Sequence, residues 1–221
     1  MSAGAVRAVV FDLDGTLVDT EGHWARAREA LTRRAGGKWY SGAHEAMMGM
    51  SSTEWTSYMH EELGVPMSPP EILEEIIDEL DALFRAELPL LPGALQAVDT
   101  AATVGPLAVA SSSPTALIEL ILELAGVRDR FAAVLSSEDV PRGKPSPDVF
   151  VEACARLGVA PHEAAAVEDS EAGLEAALAA GTRVIAVPSP HFPPASGVLD
   201  RADAVLETIE QLSPAVLRGD H

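Results

Sequence analysis

The stretch that decides the fold of this chain is FDLDGT, residues 11–16. It continues the apolar run AVVF at positions 8–11, which is typical of a buried strand. Side chains two positions apart in extended backbone point the same way, so Asp12 and Asp14 can converge at the strand end. Two carboxylates that close repel each other unless a proton or a cation lies between them. The pattern favours a site for a hard divalent cation such as Mg2+, and the alternative is an ordinary Asp-Gly turn.

The composition restricts the classes of function. The chain has 221 residues, 48% of them hydrophobic, which suits one large domain or a core with an insertion. Its formal net charge of -19 disfavours nucleic acid and anionic membranes as partners, and no apolar run reaches the length of a membrane span. The lone cysteine, Cys154, allows no intrachain disulfide, which fits a reducing compartment. We expect a cytoplasmic protein that is a monomer or a weak dimer.

Helical signals dominate the segment after the first strand. Two capping boxes, Ser51–Glu54 and Ser68–Glu71, predict helix starts, and apolar residues recur at helical spacing. No strand is predicted between Leu17 and Pro89. We therefore expect residues 18–90 to form an all-helical domain inserted after the first strand.

Short apolar runs alternate with helical segments from Gly93 onward, which predicts a parallel sheet flanked by helices. The expected fold class is α/β, with a Rossmann-like core domain formed by residues 1–17 and 91–221. The strands after the first are predicted at positions 107–110, 132–135, 164–167, 183–187 and 204–206.

Four candidate site residues, Asp12, Ser111, Lys144 and Asp169, lie at or after predicted strand ends. Ligands of such sheets bind beyond the carboxyl ends of the strands, so this shared position indicates one site. A carboxylate can attack phosphorus, and a second carboxyl group can protonate the leaving oxygen and then activate water. We assign Asp12 as the nucleophile because it continues the rigid strand, and Asp14 as the acid/base.

The other polar candidates each have a structural alternative. Ser111 precedes a helix start that could bind phosphate oxygens, although Ser113 could simply cap that helix. Lys144 is one of only two lysines and lies in a proline-flanked loop, where its ammonium could offset phosphoryl charge, although most lysines are solvated. The pair Glu168-Asp169 could bind a metal, although acidic residues favour helix starts in any case.

These motifs together resemble the haloacid dehalogenase-like hydrolases, in the branch with a helical cap that includes phosphoglycolate phosphatase and beta-phosphoglucomutase. The resemblance covers nearly the whole chain. Its four motifs appear here as residues 12–16, Ser111-Ser112, Lys144 before proline, and residues 168–170.

The resemblance implies roles for individual residues. It implies that Mg2+ is bound by Asp12, Asp169 and the backbone carbonyl of Asp14, with Glu168 as a direct ligand or one acting through water. It also implies that the phosphoryl group is held by the Ser111 hydroxyl, the Ser112 amide and Lys144. The helical domain would open and close as a cap over this site.

Departures from the family pattern reduce the number of family activities that this chain could have. Asp14 is present, whereas the dehalogenases lack this second aspartate, and the cap's single lysine, Lys38, is a weak candidate for a Schiff base. Mutases carry cations in a cap loop that here reads MMGMS, residues 47–51. We assign substrate specificity to this loop, that is Met47, Met48, Gly49, Met50 and Ser51, and to His23 and Trp24. Helix packing is an equally good explanation of the methionines, and cap arginines could also reach the substrate.

The sequence therefore predicts a Mg2+-dependent phosphatase that acts on a small phosphorylated metabolite through an aspartyl phosphate. A sugar-phosphate mutase and a non-catalytic binding protein with the same fold are the alternatives. The binding protein is disfavoured because such a protein has no need of a nucleophile.

Overall fold

The computed structural model describes residues 5–48, 50–189 and 193–220. Within them, six parallel strands form one sheet in the order β3-β2-β1-β4-β5-β6. The strands are β1 (Ala8–Phe11), β2 (Leu107–Ser111), β3 (Phe131–Ser136), β4 (Ala164–Glu168), β5 (Arg183–Ala186) and β6 (Ala204–Val205). The predicted α/β class is confirmed.

Ten α-helices connect or follow these strands in the described residues, and short 3-10 turns lie between some of them. The helices are α1 (Glu21–Arg34), α2 (Ala43–Ala46), α3 (Ser52–Glu61), α4 (Pro69–Ala86), α5 (Ala94–Ala102), α6 (Thr115–Leu124), α7 (Asp148–Leu157), α8 (Glu171–Ala180), α9 (Ser196–Leu199) and α10 (Pro214–Arg218). None of them, within the described part of the chain, combines the length and apolar content that a membrane crossing needs.

The chain divides into two compact units, one of which is the helical segment Thr20–Pro89. Its described residues, 20–48 and 50–89, contain helices and no strand. Helix α4 buries the stripe Ile72, Ile76, Leu80 and Phe84, and it packs against α1 and α3. Both predicted capping boxes are present, at the starts of α3 and α4.

The second unit runs to Asp19 and resumes at Leu90, and it contains the whole sheet. Strands β1, β2 and β4 are buried throughout, as a parallel sheet covered by helices requires. Helix α7 packs its buried face, which includes Phe150 and Cys154, into the core beside these strands. The thiol of Cys154 is free and buried.

Candidate active site

The site lies at the carboxyl ends of three neighbouring strands. Asp12 directly follows β1, and its backbone N–H donates to the Val167 carbonyl of β4 over 2.9 Å. Ser111 is the last residue of β2 and Glu168 the last residue of β4. Because β1 lies between β2 and β4, these side chains meet at one edge of the sheet.

Lys144 forms the centre of the site. Its Nζ donates to Asp12 Oδ1 and to Glu168 Oε1, each over 2.6 Å, and its side chain is 4% exposed. Burial alone would lower the pKa of this ammonium, but the charges of Asp12 and Glu168 raise it above its ordinary value. Lys144 therefore stays positively charged and holds the two carboxylates on either side of it.

Three buried carboxylates, those of Asp12, Glu168 and Asp169, offer oxygen atoms that all lie within 4.8 Å of one another. Burial raises the pKa of Asp169, and the negative charges of Glu168 and Asp12 raise it further. Three carboxylates and one ammonium leave a net charge of about -2 when all are ionised, since -3 and +1 sum to that value. A cluster of oxygen ligands with this residual charge fits a hard divalent cation.

The turn after Asp14 is shaped around Asp169. Gly15 has φ of 82°, and a Cβ at this position would lie 2.7 Å from Asp169 Cγ. The Thr16 hydroxyl is buried and lies 3.5 Å from Asp169 Oδ1. Glycine at position 15 therefore allows both the left-handed backbone and the close approach of the carboxylate.

The carboxylate of Asp14 accepts hydrogen bonds from two serines. Its Oδ2 accepts hydrogen bonds from Ser113 Oγ over 2.7 Å and from Ser111 Oγ over 3.1 Å. The alternative interpretation of Ser113 as the cap of the next helix is wrong, because Pro114 is the N-cap of α6. Ser113 therefore contacts Asp14, which the sequence analysis did not predict, and the run of three serines was the only signal of this contact. Ser112 is exposed.

The specificity candidates in the methionine loop have mixed environments. Met47 is buried, with 1% exposure, whereas Met48 and Met50 are half-buried. Gly49 lies outside the described residues. Ser51 is the N-cap of α3: its hydroxyl donates to Glu54 Oε2 over 2.7 Å and accepts from the Glu54 N–H over 3.4 Å. This gives Ser51 a structural role.

Trp24 and His23 lie on α1 against other aromatic rings. Trp24 is 8% exposed and packs edge-on against Trp55, with ring centroids 5.9 Å apart. The guanidinium of Arg28 is buried 4.8 Å and 5.0 Å from the centroids of these two indoles. The His23 ring lies 5.5 Å from that of Phe84. Packing within the helical unit therefore accounts for Trp24, while His23 remains half-buried.

Several known proteins are similar to this chain. A model of the haloacid dehalogenase-like hydrolase family matches residues 6–181. Hexitol phosphatase B of Escherichia coli is 35% identical over 193 residues, which cover 84% of this chain and 85% of that protein. The bifunctional riboflavin kinase/FMN phosphatase of Arabidopsis thaliana is 33% identical over 91% of this chain, which spans 53% of the plant protein.

A solved structure, that of a CbbY mutant from Rhodobacter sphaeroides in complex with xylulose 1,5-bisphosphate, superposes with a TM-score of 0.84. Its sequence identity is 28%, and the alignment covers 96% of this chain and 99% of that one. The match of the family model, the phosphatase relatives and the shared fold lead to one conclusion: the chain belongs to the haloacid dehalogenase-like hydrolases.

Proposed function

We propose that this protein is a Mg2+-dependent phosphatase that hydrolyses a small phosphorylated metabolite through an aspartyl phosphate on Asp12. The observation that carries the proposal is the buried Lys144 ammonium between Asp12 and Glu168, beside a third carboxylate on Asp169. A binding module gains nothing from a buried carboxylate that is held in place at the end of a central strand. A nucleophile needs that rigidity for in-line attack.

The names of the relatives favour a sugar phosphate as substrate. Hexitol phosphatase B acts on a hexitol phosphate by its name, and the CbbY structure holds a sugar bisphosphate. A phosphatase of phosphorylated carbohydrates from Thermotoga maritima is a further relative, at 28% identity. We therefore take phosphorylated sugars and sugar alcohols as the first class to test.

The chemistry follows from the positions of the two aspartates. An Asp12 carboxylate oxygen forms a bond to phosphorus while the bond from phosphorus to the ester oxygen breaks, and Asp14 gives its proton to that oxygen. Water then attacks the phosphorus of the aspartyl phosphate. Asp14 takes the water's proton, Asp12 is released as a carboxylate, and inorganic phosphate leaves.

Other groups of the site bind Mg2+ and the phosphoryl group. We assign Asp12, Asp169 and the Asp14 carbonyl to Mg2+, with Glu168 as a ligand or one acting through water. When bound, Mg2+ neutralises charge on the transferring phosphoryl group. The Ser111 hydroxyl, the Ser112 amide and Lys144 hold the phosphoryl oxygens.

We assign residues 18–90 as the cap domain that determines specificity. Hydrolysis is favoured over a mutase because the described part of the loop, Met47, Met48, Met50 and Ser51, contains no cation for a second phosphate. Of the cap arginines, Arg26 and Arg85 are exposed, and Arg85 Nε pairs with Asp81 over 2.7 Å. Arg28 is the buried arginine of α1, and its guanidinium lies against the indoles of Trp24 and Trp55.

A phosphate-release screen tests the proposal. The protein is incubated with phosphorylated sugars, sugar alcohols and nucleotides, with Mg2+ or with excess chelator. We expect release from a sugar phosphate that needs Mg2+, and full activity in chelator would contradict the metal requirement. Glucose 1-phosphates with a trace of glucose 1,6-bisphosphate provide the mutase arm. If glucose 6-phosphate forms faster than free phosphate, the mutase becomes the better assignment.

A further inference from the structure

Gly173 occupies the third position of α8, where the local sequence gives no reason for a glycine. The helix reads EAGLEAALAA, with alanine at five of its ten positions. Alanine is the best helix former and glycine one of the poorest, so Gly173 weakens the helix that contains it. Such a local conflict points to a requirement imposed from elsewhere in the fold.

The space that a Cβ would need at position 173 is filled by the carboxylate of Glu168. A Cβ built on Gly173 would collide with all three atoms of that carboxylate group. The φ of Gly173 is not in the left-handed region, so backbone strain does not explain the glycine. The requirement is steric, and it comes from one side chain.

A flexible glutamate could normally move aside, but Glu168 is held by four hydrogen bonds. Its Oε1 accepts from Lys144 Nζ over 2.6 Å. Its Oε2 accepts from the Asp169 N–H over 2.9 Å, from the Ser170 N–H over 3.0 Å and from Ser170 Oγ over 3.1 Å. Glu168 is fully buried, so any displacement would leave these buried donors without their acceptor.

We propose that Gly173 is a positioning residue of the active site that acts through Glu168. Because Gly173 has no side chain, the Glu168 carboxylate can lie in the space that a Cβ would fill. That carboxylate holds Lys144 against Asp12 and fixes the backbone of the metal ligand Asp169. This inference rests on the roles proposed above for Asp12, Lys144 and Asp169. It assigns Gly173 no contact with substrate.

The first test is Gly173→Ala, with Gly197→Ala as the matched control. Gly197 lies in α9, is exposed, and has nothing within 4 Å of a Cβ built on it. Isothermal titration of the metal-free protein measures Mg2+ affinity, and we expect a loss of roughly 10- to 100-fold for Gly173→Ala, the usual effect of disturbing groups that orient metal ligands. We expect kcat to fall at saturating Mg2+ and Gly197→Ala to behave as wild type. Unchanged Mg2+ affinity and kcat in folded Gly173→Ala would overturn the proposal.

The second test is a double-mutant cycle with Glu168→Asp, whose shorter side chain vacates space for the Cβ. We expect Gly173→Ala to be much less harmful in the Glu168→Asp background, both for Mg2+ affinity and for the midpoint of chemical denaturation. Additive effects would show that the two residues do not act on each other. If Gly173→Ala does not fold, the double variant should recover the folded state, and failure to recover it overturns the inference.

The cycle is readable whether or not the protein is a phosphatase. The denaturation midpoint needs neither metal nor substrate, so coupling between positions 168 and 173 can be found in a protein that releases no phosphate. Coupling without phosphate release would contradict the proposed function but would still support the steric relation between Gly173 and Glu168. The reverse outcome, phosphatase activity without coupling, would contradict only the inference about Gly173.

Discussion

A single ammonium determines the charge balance of the active site at the scale of residues. Lys144 contacts two buried carboxylates, and the chain's only other lysine, Lys38, is exposed. A buried carboxylate without a partner is far less stable than a paired one, so Lys144 has a structural role as well as a proposed catalytic one.

Replacing Lys144 with methionine should therefore affect both stability and turnover. We expect Lys144→Met to lower the free energy of unfolding by about 3–5 kcal/mol, the range for breaking a buried ion pair, and to abolish phosphatase activity. Added Mg2+ should recover more stability in the variant than in wild type, since it supplies positive charge to the same carboxylates. Chemical denaturation with and without Mg2+ measures this, with Lys38→Met as the control. A variant as stable as wild type without metal would contradict this charge balance.

Capping matters at the scale of elements, because Ser51 is both a predicted specificity residue and the N-cap of α3. Its hydroxyl and the Glu54 carboxylate form a complete capping box. The backbone and side-chain hydrogen bonds from Ser51 lower the pKa of Glu54 from its ordinary value of 4.5. A depressed carboxyl pKa stabilises the fold above about pH 4.5, and the contribution disappears as the pH falls through the folded-state pKa.

Ser51→Ala separates the two roles. We expect a loss of about 1 kcal/mol in stability at neutral pH, typical of a removed N-cap, and a smaller loss in acid once Glu54 is protonated. If Ser51 only caps the helix, KM stays unchanged, whereas a substrate contact would raise it. Thr53→Ala, at an exposed position of the same helix, is the control. A neutral-pH stability equal to wild type would contradict the capping role.

The strands were predictable because their apolar runs end at polar residues. The run before Asp12 forms β1 with the predicted bounds, and β2 and β4 extend by one residue to include Ser111 and Glu168. The hydrogen bond from Ser113 to Asp14 joins residues 99 positions apart, and no local pattern encodes it. The packing of Gly173 against Glu168 could not be predicted from the sequence either, because it depends on how the Glu168 side chain runs back across the first turn of α8.

The whole molecule carries a net charge of -19, which repels a phosphorylated substrate. Raising the ionic strength from about 10 mM to about 150 mM shortens the screening length from about 30 Å to about 8 Å. At saturating Mg2+ we expect KM to fall by about threefold over this range while kcat changes little. Initial rates in potassium chloride test this, with sucrose as an uncharged control. A KM that rises with salt would mean that local cations dominate the substrate's approach.

In the proposed reaction the phosphoryl group is transferred to Asp12, and acid quenching of a single turnover can detect this intermediate. The protein is mixed with limiting substrate that carries a radioactive phosphoryl group and is quenched within the first turnover. We predict protein-bound phosphate that hydroxylamine releases, as an acyl phosphate requires. We predict neither label nor turnover in Asp12→Asn, because the asparagine side chain has nearly the same shape as aspartate but is a poor nucleophile. Rapid hydrolysis without labelled protein, or near wild-type turnover in Asp12→Asn, would contradict the account.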